Sequence, residues 1–396
     1  MRRSTSIGLL GLALILLGAC SPSPTTVPSA TLNLPSATAT LPPVTISPPP
    51  IPTSMIEPVD TREPPPFPFS ERGPYWTGNR AYTFFDESRG GRKIEVQIYY
   101  PALKQANDSG GFITRDAVAD MSGAPYPLIL TDTTSGNVIF KSHLASYGFV
   151  TALVKLQDSY DKVDFQVMDH PLDFLFALDQ IGLDSLEGLV GVIDSNNTGV
   201  SGYSGGGWMS IALSGIRIDP EYYLSFCENP PLLEPELSNW YIDFYCNLAK
   251  KWDAFTLRVG PEFKDSDDGL WQPVTDERIR AIMPMAPDGA ILYGDQGMAA
   301  MNLPTLIIDP VDDQYDPYDR EAVFIYEHLG SLEKSMISFI GKDHDMPYEI
   351  EPVNRMKHFA VAFFGYYLQG NLDYAYYFSE NFVSLVDDLA WGVYTR

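Results

Sequence analysis

Apolar and polar positions along the chain fall into two rhythms that alternate from about residue 80 onward. Lys93-Ile94-Glu95-Val96-Gln97-Ile98-Tyr99-Tyr100 alternates with period two and reads as a strand; Arg80–Phe85 before it reads as its partner, with the turn at Ser88-Arg89-Gly90-Gly91. Tyr126–Leu130 and Phe149–Val154 are continuous apolar runs, as expected of strands covered on both faces. Lys141–Tyr147 and Leu172–Ile181 carry apolar residues at helical spacing. Further strands are predicted at Ala281–Met285 and Thr305–Ile308. Met336–Ile340 is predicted to be the last strand, and His358–Leu368 a closing amphipathic helix. Strands alternating with helices predict an α/β fold, a mostly parallel sheet with helices on both faces.

The N-terminal part follows neither rhythm. Arg2 and Arg3 precede an apolar run from Ile7 to Leu17, too short for a bilayer, which needs about twenty residues. The run ends in Leu17-Gly18-Ala19-Cys20, which resembles a bacterial lipobox: residues 1–19 read as a lipoprotein signal peptide and Cys20 as the lipidated residue. That resemblance implies a protein held by a lipid anchor on the outer face of the bacterial membrane. Residues 20–68 are rich in Pro, Ser and Thr. They bury too little apolar surface to fold and read as an extended, disordered spacer. The folded domain is expected over residues 69–396, with an irregular, aromatic-rich insertion at about 215–276 after the segment described next.

That segment is Thr198-Gly199-Val200-Ser201-Gly202-Tyr203-Ser204-Gly205-Gly206-Gly207-Trp208. It contains G-x-S-x-G between a strand end and an apolar helix start, the pattern of a nucleophile elbow with Ser204 at its apex. A serine hydroxyl needs a base. The chain has 5 histidines. His143, His170, His328 and His358 fall in predicted helices; His344 falls in the loop Gly341–Pro347 after a strand, where open α/β sheets place their sites. The base in turn needs a carboxylate to fix its tautomer. Asp313, in the acidic run that follows Thr305–Ile308, and Asp288, in Ala286-Pro287-Asp288-Gly289, are the two candidates. One oxyanion donor is expected at the N–H of Gly205. The other belongs to the loop after Tyr126–Leu130, with Ser135 as donor and Thr134 as its alternative.

From Arg80 to Tyr377 the order and spacing of these stretches, with Val96–Ala102 and His143–Val150, resemble the α/β-hydrolase superfamily. Within it the likeness is to the platelet-activating-factor acetylhydrolase and dienelactone-hydrolase-like branch, near cutinase-type polyester hydrolases. The resemblance implies Ser204 as nucleophile, His344 as base and Asp313 as acid. Plasma-type acetylhydrolases place the acid one strand earlier, which keeps Asp288 in view. Thr133-Thr134 stand where the family usually has His-Gly. That departure supports an alternative reading, a hydrolase-fold lipoprotein that binds a ligand or partner without turning it over.

Charge and cysteines narrow the picture. A net charge of −25 disfavours nucleic-acid partners; the resemblance implies a small-molecule or lipid ester as substrate. Cys227 and Cys246 are an even pair in an exported chain, and a disulfide between them is expected. The acidic stretches lack an EF-hand order, so no metal and no cofactor is expected.

Overall fold

In the computed structural model the described residues are 67–104, 112–133, 140–158, 161–230, 235–264 and 266–396. The expectations for residues 1–66, including Cys20, lie outside them. Ten strands form one mixed sheet: β1 (Trp76–Asp86), β2 (Arg92–Ala102), β3 (Ile113–Arg115), β4 (Tyr126–Asp132), β5 (Val150–Val154), β6 (Ile193–Tyr203), β7 (Ile279–Met285), β8 (Thr305–Pro310), β9 (Lys334–Phe339) and β10 (Leu389–Trp391). Their order across the sheet is β10-β9-β8-β7-β6-β4-β5-β2-β1-β3. From β5 to β9 neighbours run parallel; β2 joins β1 and β5 antiparallel, and β10 joins β9 antiparallel.

The continuous apolar runs are explained by the two faces. Leu128 and Leu130 enter one core, while Ile129 between them enters the other; Ile307 and Met336 belong to the first, Leu306, Ile308 and Ile337 to the second. Helices α1 (Lys141–Ser146), α2 (Gln166–Gly182) and α3 (Gly205–Ala212) follow β4, β5 and β6. Among the described residues no helix is long and apolar enough to cross a membrane.

Between α3 and β7 the chain forms α4 (Pro220–Glu228), α5 (Pro235–Tyr245), α6 (Trp252–Arg258) and α7 (Pro261–Lys264). These four helices lie within the stretch 215–276. Cys227 and Cys246 are joined by a disulfide across 19 positions, tying α4 to the end of α5; closing a loop of that length is worth about 3 kcal/mol. Helices α8 (Gly294–Ala299), α9 (Ala322–His328), α10 (Ile350–Tyr367) and α11 (Glu380–Val383) complete the set.

Two expectations are corrected. Met336–Ile340 is not the last strand: the chain returns after α11 to lay β10 on β9, closing that edge. Nor is the predicted closing helix amphipathic; α10 is buried along most of its length, with His358, Phe359 and Phe364 fully enclosed. Phe67 packs edge-on against His358, Phe359 and Phe382.

Candidate active site

Strands β6, β7, β8 and β9 are consecutive and parallel, so the loops that leave their C-terminal ends meet at one edge of the sheet. Ser204 follows β6, Asp288 follows β7, Asp313 follows β8 and His344 follows β9.

Ser204 is held at φ 57° and ψ −122°, a strained conformation that a non-glycine residue rarely adopts. Its N–H donates to the Met285 carbonyl at 2.9 Å, which fixes the apex of the turn. The turn closes only because Gly202 has no side chain: a Cβ there would come within 2.6 Å of the Gly206 backbone. Gly205 opens α3, where the first backbone N–H groups of a helix have no intrahelical acceptor.

The Ser204 hydroxyl donates to His344 Nε2 at 3.0 Å, and His344 Nδ1–H donates to Asp313 Oδ2 at 2.6 Å. The other oxygen of Asp313 accepts the N–H groups of Tyr315 and Asp316, each at 2.9 Å. The His344 loop is held on both sides. Its N–H donates to Gln314 Oε1, its carbonyl accepts the Tyr203 hydroxyl, and the rings of Tyr203 and Tyr315 each stand 5.3 Å from the imidazole. Burial alone would disfavour a charged imidazole. The Asp313 hydrogen bond and charge outweigh burial, with Asp288 and Asp345 contributing, and raise the His344 pKa above the usual histidine value.

Comparison of the chain with family models finds no match, and comparison with curated proteins finds none either. What the site can do is therefore argued from its geometry.

The two candidate acids separate cleanly. Asp288 points to Tyr245, whose hydroxyl is 3.0 Å from its Oδ2, and Asp313 takes the imidazole. The remaining histidines lie elsewhere. His143 Nε2–H donates to the Phe69 carbonyl, and His358 Nδ1 accepts the Phe69 N–H. Burial pushes these two down to about 4 and about 3. His170 lies in α2 and His328 in α9, whose Nδ1 contacts the Phe324 carbonyl. Ser135 and Thr134 lie outside the described residues. Asp313, Asp316 and His344 each bring one potential ligand atom within 4.8 Å of the others. Nδ1 is already committed to Asp313, so we read the group as a hydrogen-bonded acid–base pair and not as a metal centre.

Sequence reasoning missed the carboxylates beneath this pair. Asp309, Asp316 and Glu321 are buried within reach of Asp288 and Asp313. Nothing distinguishes them from solvated acids in an Asp-rich run until Tyr241 and Tyr245 arrive from the insertion. Tyr241 donates to Glu321 Oε1, and the Ala290 N–H donates to Oε2 at 2.8 Å. Burial holds the Glu321 carboxyl up at about 8. An unfolded glutamate titrates near 4.3, so between roughly pH 4.3 and 8 the folded chain keeps a proton that the unfolded chain releases. The stability tied to this group is present below that window and is lost as pH rises through it. Glu321→Gln mimics the protonated acid. Its melting temperature should fall less steeply between pH 5 and 8.5 than the wild type's, the difference corresponding to a few kcal/mol. Identical slopes in calorimetry would show that Glu321 ionises freely in the fold.

Proposed function

We propose that the protein is a serine hydrolase that cleaves carboxylic esters through an acyl-enzyme, built on an α/β-hydrolase fold with the insertion as its cap. The observation that carries this reading is the hydrogen-bonded line from Ser204 Oγ through His344 to Asp313, which starts at a strained serine between strand and helix. A solvated turn serine has no reason to bear backbone strain and face a half-buried imidazole backed by a buried carboxylate.

In this reading Nε2 takes the Ser204 proton as Oγ attacks the ester carbonyl carbon. Asp313 stabilises the imidazolium that forms. The developing oxyanion meets the N–H of Gly205 at the positive end of α3; Ser135, with Thr134 as alternative, supplies the second donor. Nε2–H then protonates the departing alkoxide, leaving an acyl-Ser204 ester. Water, deprotonated by the same nitrogen, attacks that ester; the acid leaves and Ser204 recovers its proton. No metal or cofactor enters these steps. Small-molecule or lipid esters are the proposed substrates, and lipidation at Cys20 would keep the domain on the outer face of the membrane.

A fluorophosphonate probe tests the reading directly. It should add its phosphonyl group to Ser204, located by peptide mass spectrometry, and block hydrolysis of a short p-nitrophenyl ester in proportion. Labelling elsewhere, or none at all, would leave the protein as a ligand-binding lipoprotein.

A further inference from the structure

Tyr245 is fully buried at the end of α5, next to the disulfide at Cys246. Its hydroxyl lies 2.7 Å from Asp316 Oδ1 and 3.0 Å from Asp288 Oδ2. A phenol has one proton and can donate to one of these oxygens. The other contact is a hydrogen bond only if that carboxyl is protonated and donates to the phenolic oxygen. Both contacts together therefore leave room for at most one negative charge on the two carboxyls, and the phenol's hydrogen bond to Asp316 favours keeping it. This bridge touches the catalytic line. Asp316 Oδ2 stands 3.8 Å from His344 Nδ1, and the Asp316 N–H donates to Asp313.

We propose that Tyr245 is a positioning residue for the catalytic line: through the bridge Asp288–Tyr245–Asp316 it holds one negative charge beside His344 and fixes the loop that carries Asp313. The bearing on catalysis rests on the hydrolase reading above. The bridge itself rests on geometry alone.

The surroundings set the sign. The bridge is faced by Glu321 and Tyr241, by Asp313 on the loop of Asp316, and by Asp309 in β8. His344 is faced by Ser204, Tyr203 and Tyr315, by Asp313, Asp316 and Asp288, and by Asp345 on its own loop. No cation is among these groups. Burial, with Asp288, Asp313 and Glu321, drives Asp316 towards its protonated form; the Tyr245 hydrogen bond opposes this. Without the phenol the bridge takes up a second proton and becomes neutral. His344 then loses a neighbouring anion that favours its imidazolium, so its pKa falls.

The test is the titration of the His344 imidazole by NMR in the 15N-histidine-labelled full chain. Its resonance is assigned from the spectrum of His344→Gln. In Tyr245→Phe the His344 pKa should fall by roughly 0.5 to 1 unit, and kcat for a p-nitrophenyl ester by on the order of tenfold. The isosteric double variant Asp288→Asn/Asp316→Asn removes the charge wherever it resides and keeps the volume. It should show the same downward shift, and it decides the matter if Tyr245→Phe does not fold. An unmoved His344 titration in the folded variants overturns the proposal. Loosened packing without a bridge charge would lower the rate and leave the titration in place. Because the titration needs no substrate, a wild type that cleaves no ester would sink the hydrolase reading and leave the bridge to be judged by its own shift.

Discussion

Ser204→Ala is expected to lower kcat for ester hydrolysis by ~10^4- to 10^6-fold while leaving the melting temperature within a few degrees of wild type. In the proposed mechanism the hydroxyl makes the covalent bond, so its loss would remove the acyl-enzyme route and not one contribution among several. What remains is binding and whatever electrostatic stabilisation the Gly205 N–H provides, which accelerates hydrolysis only modestly over water. The fold should tolerate the change, because Ser204 is held by its backbone, through its N–H to Met285, and its side chain makes one hydrogen bond. Alanine also bears the strained φ no worse than serine does. Burst and steady-state kinetics on a chromogenic ester measure this. Equal rates in the variant and the wild type would remove the enzyme reading altogether.

The second large effect is expected at Asp313→Asn. An asparagine keeps the volume but loses the charge, and it can turn its amide N–H towards Nδ1. That would place the imidazole proton on Nε2, where the base must be bare. The expected loss in kcat is on the order of 10^4-fold. The acid limb of the pH–rate profile should move as well. Asp313 is what lifts the His344 pKa against burial, so the limb should shift to lower pH when Asp313 is neutral. Asp288→Asn is the comparison: Asp288 hydrogen-bonds Tyr245 and acts on the imidazole only through its charge, so its replacement should cost far less. Comparable losses at the two positions would mean that the acid has been assigned to the wrong strand.

Much of this site was legible in the chain because its parts are local. A glycine-rich turn between apolar strand and helix, and a histidine in the loop after a strand, are each contained in about ten residues. Parallel strands then bring such loops to the same edge of a sheet without further information. The choice between Asp313 and Asp288 was not local. Both follow strands, both are buried, and only the direction of each side chain separates them. Asp316 and Tyr245 were out of reach for the same reason: they stand 71 positions apart, and an acid among acids carries no mark of burial. Short edge strands were missed because β3 and β10, of three residues each, are too brief to show a period. Their pairing comes from the sheet they complete.

Strand β10 also bears on how firmly the segment carrying Asp313 is held. The residues beyond it grip the acid-bearing segment: the Tyr394 N–H donates to the Tyr318 hydroxyl, and Arg396 reaches the Val311 carbonyl and Asp312. The edge strand and the carboxylate that holds His344 thus lie on one hydrogen-bonded path, so slack at one end is passed on to the imidazole at the other.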